Sequence, residues 1–233
     1  MKKRLILCAL ALVMLFSFAA CGKEQYDLVY AVDQDSLTYC VRGSEMRAKQ
    51  IVVKRGEEIL WSQKVKVDKD VGRQGGNYGF SVLDLNFDGH NDFMIADNVA
   101  GDCISYICWL WDVGQNTFVQ SEQLTGLCNV KADENLQAVF GFSHSFERDV
   151  AYLDVPEASI TTDSATKYIW KDGVLTPEIR VSITYYSETA MYLYSVAYYD
   201  EETQQFEDDY TAERWMTPDE YKTQDLSFLY YFK

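Results

Sequence analysis

The chain has 233 residues, with 36 Asp+Glu against 21 Lys+Arg, a formal net charge of −15 and 15% aromatic residues. A chain this acidic repels phosphate backbones, which argues against nucleic acid as a partner. Its length suffices for one sizeable core or two small ones.

In chain order, the first signal concerns address. Lys2, Lys3 and Arg4 precede an apolar run from Leu5 to Ala20, then Cys21 and Gly22. A positive segment, an apolar stretch and small residues before a break are the layout of a secretory signal peptide over 1–20. The apolar run is 16 residues, short of the ~20 needed to span a bilayer as a helix. Phe18-Ala19-Ala20-Cys21 is similar to the lipobox of bacterial lipoproteins. That resemblance implies a lipid on Cys21, a tether over 21–28 and an extracytoplasmic, membrane-anchored protein. Without the three basic residues of the leader, 18 Lys+Arg face 36 Asp+Glu. The clusters Asp200-Glu201-Glu202 and Glu207-Asp208-Asp209 read as solvated turns, or as a face for a cationic partner.

From residue 29 to 233 a single domain with period-two alternation is expected. Ile51–Val53 and Ile59–Val67 flank Arg55-Gly56-Glu57-Glu58, a hairpin signal. Gly72-Arg73-Gln74-Gly75-Gly76 is glycine-rich but precedes a strand, so it reads as a mobile loop rather than a phosphate cradle. Strands are predicted over 78–85 and 93–96, then 104–111 and 117–123 around Asp112–Asn116. Another follows over 136–142. Tyr168–Trp170 and Val174-Leu175 flank Lys171-Asp172-Gly173, where Asp-Gly suits a type I′ turn. Val181–Tyr185 and Met191–Tyr199 complete the strands. The last is apolar or aromatic on both faces, which predicts a sandwiched position. Thr217-Pro218-Asp219-Glu220 has a cap, a first-turn proline and a Glu three residues on, predicting one short helix that ends near Asp225.

Four cysteines follow Cys21: Cys40, Cys103, Cys108 and Cys128. Outside the cytoplasm they can form disulfides, in three connectivities that sequence does not separate. Cys108 lies in an apolar strand, where a buried thiol is the simpler reading. Zinc-finger spacings are absent, so structural zinc is not expected.

The segment Asp84-Leu85-Asn86-Phe87-Asp88-Gly89-His90-Asn91-Asp92 carries the chemistry. Asp84, Asn86, Asp88 and Asp92 stand at positions 1, 3, 5 and 9, with glycine at 6 for a sharp reversal. Calcium takes six to eight oxygen ligands, and His90 at position 7 would supply its backbone carbonyl. Position 12 is Ile95 rather than Glu and the flanks are strands, so this is no EF-hand. The competing reading is a turn whose Asp and Asn side chains cap backbone N–H groups. Repulsion among Asp84, Asp88 and Asp92 favours a cation. Magnesium is the poorer choice, because it retains its waters.

The loop resembles the Asp-x-Asn/Asp-x-Asp-Gly-x-x-Asp loop of FG-GAP and VCBS repeats, which build β-propeller blades. The resemblance covers residues 50–120, including the hairpin over 106–120, and here the loop occurs once. It implies an all-β, hairpin-rich, propeller-like fold with few blades and a structural calcium, with Phe87 anchoring the loop in its blade. Bacterial lipoproteins of this kind include immunity proteins that block peptidoglycan-cleaving effectors. That implies a protein-binding module acting on a cell-wall hydrolase.

Enzymatic signals are thin. The two histidines, His90 and His144, lack a nucleophile elbow or orienting group nearby in sequence, and His144 reads as a polar turn between strands. The alternative to a protein-binding module is a glycan- or peptidoglycan-binding module, or a wall hydrolase. Trp61, Trp109, Trp111, Trp170 and Trp215 would then be sugar platforms, against a simpler role in core and cross-strand packing.

Overall fold

A computed structural model describes residues 26–44, 47–67, 79–148 and 159–223. The signal segment, Cys21, most of the tether, Tyr78, the glycine-rich loop 72–76 and the expected helix end at Asp225 lie outside these residues. No helix among the described residues is long and apolar enough to cross a membrane.

Among the described residues the fold is all-β and antiparallel, in three sheets. The first is a four-stranded meander, β1 (Asp27–Gln34), β2 (Leu37–Ser44), β3 (Arg47–Arg55) and β4 (Glu58–Lys64), paired in chain order. The middle sheet repeats that layout with β5 (Ser81–Leu83), β6 (Asp92–Ala100), β7 (Cys103–Asp112) and β8 (Thr117–Gln120). The third contains β9 (Lys131–Asp133), β10 (Ala138–Arg148), β11 (Ser159–Lys171), β12 (Val174–Tyr186), β13 (Met191–Asp200) and β14 (Gln205–Asp208). A further strand, β15 (Arg214–Met216), also pairs with β13. The expected tether is cut short, because β1 already begins at Asp27.

The middle sheet is apolar on both faces, and alternation divides its side chains between two cores. Phe93, Ile95 and Trp109 join Tyr39, Val41, Ile51 and Val53 of the first sheet. Met94 and Cys108, one residue out of phase, join Val139, with Tyr168 and Trp170 of the third sheet packed alongside. The first core is largely aromatic: Phe93 stacks on Trp109 at 5.1 Å between centroids and meets Phe118 edge-on at 4.8 Å. Rings at these separations add roughly 0.5–1.5 kcal/mol per pair beyond area burial.

Turn chemistry sets the hairpins. Asp172 and Gly173 both have positive φ, at 50° and 78°, as a type I′ turn requires. The β3–β4 turn needs positive φ only at Gly56, at 57°. Pro177 sits inside β12, where a proline cannot donate to the ladder. A register shift there leaves Glu178 unpaired in the register, and its carboxylate meets Lys167 at 2.5 Å.

Several expectations are corrected. The strand predicted over 117–123 ends at Gln120, because Ser121 caps a short helix, α1 (Glu122–Thr125), through Leu124 N–H. The strand expected from residue 78 is reduced to Ser81–Leu83 within the described residues. Residues 65–67 leave the ladder, although Val65 N–H still donates to Lys49 O at 2.9 Å. β13 lies inside its sheet but is half-buried along most of its length rather than fully covered. The C-terminal helix, α2 (Pro218–Thr223), carries the capping box: Thr217 N–H donates to Glu220 Oε2 at 2.8 Å, and Glu220 N–H donates to Thr217 Oγ1 at 3.3 Å.

Candidate metal loop and adjoining cleft

The acidic loop joins β5 to β6, and its side chains bond to its own backbone. Asp84 accepts Asp88 N–H at Oδ1, 3.2 Å, and Gly89 N–H at Oδ2, 2.8 Å. Asn86 Oδ1 lies 3.3 Å from Asp88 N, and its amide nitrogen donates to Asp88 Oδ2 at 3.0 Å. Asp88 Oδ1 accepts His90 N–H at 2.9 Å. Two residues have positive φ, Phe87 at 60° and Gly89 at 85°. The cost at Phe87 is offset by packing, since its ring lies against the core between the middle and third sheets.

Asp92 differs from the rest. It is fully buried, and its oxygens accept Leu85 N–H and Trp111 N–H, each at 2.8 Å. Burial pushes its carboxyl up to about 7; the two N–H groups oppose that, and the charges of Asp88 and Asp84 add to it. Hydrogen bonds therefore bring Asp84, Asn86 and Asp88 together within the loop, with Asp88 exposed. Asp92 lies beneath them, and the His90 side chain is exposed.

As donors, three carboxylates, an amide oxygen and the His90 carbonyl match the hard-oxygen chemistry of calcium. Each capped oxygen retains a second lone pair. Yet no group of three or more His, Cys, Asp or Glu side chains among the described residues is placed to hold a metal ion. The side chains of Asp84, Asn86 and Asp88 cap the loop's own backbone N–H groups, as in an Asx turn.

Each sheet is tied to this loop. Asn91 accepts Gln34 Nε2 at 2.7 Å and donates to Asp35, both at the β1–β2 turn of the first sheet. Asp92 holds Trp111 of the middle sheet, and Trp170 Nε1–H of the third donates to Leu85 O at 2.9 Å. Pattern reading missed Gln34, Asp35 and Asn91. Their one local signal was the Asp35-Ser36 pair, which occupies a turn at φ 50° and 64° where glycine or asparagine is the usual choice.

Beside the loop a cleft of about 460 Å³ opens between the first and middle sheets, lined in part by Asp35, Tyr39, Arg55, Asn91, Trp111 and Phe118. The remaining tryptophans have other surroundings. Trp109 is buried in the first core and Trp61 packs against it. Trp215 is 52% exposed and its ring lies against Tyr186.

His144 lies in β10 rather than in a turn, and its Nδ1 meets Asp163 Oδ1 of β11 at 2.7 Å. Alternation sends the Ser143 and Ser145 side chains to the opposite face of that sheet. Cys103 and Cys128 form a disulfide, while Cys40 and Cys108 are buried free thiols. Burial, then the charge of Asp92, pushes the Cys108 thiol up to about 12.

No protein-family model matches the chain, and no curated protein matches it. A solved structure described as that of a Xanthomonas Type IV Secretion System related protein is similar at 14% identity and a TM-score of 0.46, covering 77% of this chain and 85% of that one. A likeness of that strength carries no argument about function.

Proposed function

We propose that the chain is a lipid-anchored, extracytoplasmic calcium-binding β protein that works as a protein-binding module, directed at a cell-wall hydrolase. The observation that carries the reading is the loop over residues 84–92 as a joint among three sheets. Its hydrogen bonds reach Gln34 and Asp35, Trp111 and Trp170. A cation held by Asp84, Asn86, Asp88, the His90 carbonyl and Asp92 would staple the sheets, a structural role rather than a catalytic one. The Cys103–Cys128 disulfide supports an oxidising compartment. Two consecutive four-stranded meanders packed face to face support the propeller-like reading of the fold.

The test uses the full chain as bait in an extracytoplasmic extract. The expected outcome is a stoichiometric partner, identified by mass, whose peptidoglycan-cleaving activity falls as the chain is added. Cleavage of purified peptidoglycan by the chain alone would overturn the reading. For the anchor, labelled palmitate should be incorporated, and Cys21→Ala should abolish both labelling and membrane retention.

A further inference from the structure

We propose that the outer edge of β8, with the cleft beside it, docks an extended lysine- or arginine-bearing segment of a partner protein by strand addition. The inference rests on the protein-binding reading above and adds the surface and the chemistry of the partner.

The edge supplies the first observation. β8 ends the middle sheet and, among the described residues, pairs with β7 alone. Ser121 N–H donates to Cys108 O at 2.9 Å, one step beyond the Trp109–Gln120 pair. Antiparallel ladders alternate, so Thr117 and Val119 also turn their backbone groups towards β7, while Phe118 and Gln120 turn theirs outward. Gln120 is exposed and Val119 is 41% exposed. β8 reads Thr-Phe-Val-Gln, uncharged and without proline, and its register with β7 has no bulge. The edges of the first sheet differ. β1 and β4 each carry a register shift and charged side chains, devices that discourage pairing.

The cleft supplies the second. It has a volume of about 510 Å³ and runs beside β8 towards the third sheet, lined in part by Leu110, Asp112, Val119, Gln120, Glu122 and Trp170. Leu110 and Val119 are opposed in register and form an apolar strip. Asp112 and Glu122 add two carboxylates, and among the described residues no lysine, arginine or histidine lines the cleft. Asp112 is fixed in advance, because its two oxygens accept Gln115 N–H at 2.9 Å and the Gln115 amide at 2.7 Å. A strand added to β8 sends alternate side chains over the cleft and the others to the Phe118 side. A lysine or arginine suits the cleft, with its aliphatic stem over Val119 and its charged head at the carboxylates. An acidic side chain there meets like charge. Backbone pairing supplies affinity in this mode, and the charges select the partner.

The test is a fluorescence-anisotropy titration of the full chain in zwitterionic detergent. Calcium is present throughout, because Asn86 of the proposed metal set also borders the cleft. The probe is labelled acetyl-Lys-Val-Lys-Val-Lys-amide, and the comparison peptide carries glutamate in place of each lysine. Saturable binding of the basic peptide is expected, ~10-fold or more tighter than the acidic one and weaker as salt rises. Glu122→Lys should weaken it ~10-fold or more. Gln120→Pro should weaken it as well, because it removes an outward N–H without breaking a bond to β7. That variant separates strand addition from general attraction to an acidic chain, and both variants should melt as the unaltered chain does. The proposal is overturned if the basic peptide does not bind, if the acidic peptide binds as tightly, or if either variant binds as the unaltered chain does. No hydrolase enters this assay, so failure of the hydrolase reading leaves its outcome untouched. Failure here, with a hydrolase still captured by the full chain, overturns the docking surface alone.

Discussion

The backbone N–H of Trp111 donates to Oδ1 of Asp92 at 2.8 Å, with Leu85 N–H on the other oxygen at the same distance. A single buried carboxylate thus fixes the end of the acidic loop to the neighbouring strand. Asp92→Ala would leave two buried N–H groups without acceptors. Such groups cost about 1–3 kcal/mol each, so a loss of roughly 2–5 kcal/mol is expected by urea denaturation. Asp92→Asn keeps one acceptor and should fall between. A loss below about 1 kcal/mol in the alanine variant would mean that the loop relaxes around the change.

Calcium should raise the melting temperature, and chelator should reverse the rise. At a hundredfold excess over Kd, binding contributes about 2.7 kcal/mol, or roughly 5–10 °C for a domain of this size. Asp84→Ala and Asp88→Ala should each abolish the response. If the unaltered chain ignores both calcium and chelator, the loop is an Asx turn and nothing more.

The disulfide closes a separation of 25 residues between Cys103 and Cys128. Chain-entropy arguments put the destabilisation on opening a loop of that size at about 3 kcal/mol. The Cys103→Ser, Cys128→Ser double variant should unfold at correspondingly lower urea. In denaturant, residues 22–233 should titrate as two thiols, Cys40 and Cys108. Four thiols would contradict the pairing.

Tyr39 predicts an alkaline signature. Its folded pKa is raised from 10.0 to about 12, chiefly by burial. The unfolded chain therefore releases this proton first. Stability contributed by the neutral phenol is complete below about 10 and drains as pH rises towards 12. Urea midpoints measured across that window should fall more steeply for the unaltered chain than for Tyr39→Phe. The slope should not vanish in the variant, because burial also raises Tyr106, Tyr168 and Tyr194. Equal slopes in the two chains would contradict the shift.

The hairpins were legible in the sequence because their cause is local. Asp172-Gly173 and Gly56 supply positive φ, and alternation marks the strands beside them. The capping box at Thr217 and Glu220 was legible for the same reason, as both partners lie within one helical turn. The short helix after Ser121 was not, since four residues offer too little periodicity. β1 and β2 were missed because their pattern is mixed; Tyr39, Cys40 and Val41 are all buried in succession.

By itself the sequence determined the class of fold, the hairpin turns and the spaced oxygen donors of the acidic loop, all set by neighbours along the chain. Only the tertiary structure decided which cysteines pair, that Asp92 is buried beneath Asp84 and Asp88, and that His144 meets Asp163 across two strands. It also decided that Asp35, Tyr39 and Arg55 share a cleft with Asn91 and Trp111. Those residues are far apart in sequence and carry no common pattern. They meet because the first and middle sheets bury their aromatic faces against each other, and that burial, non-directional and spread over many side chains, has no short-range signature.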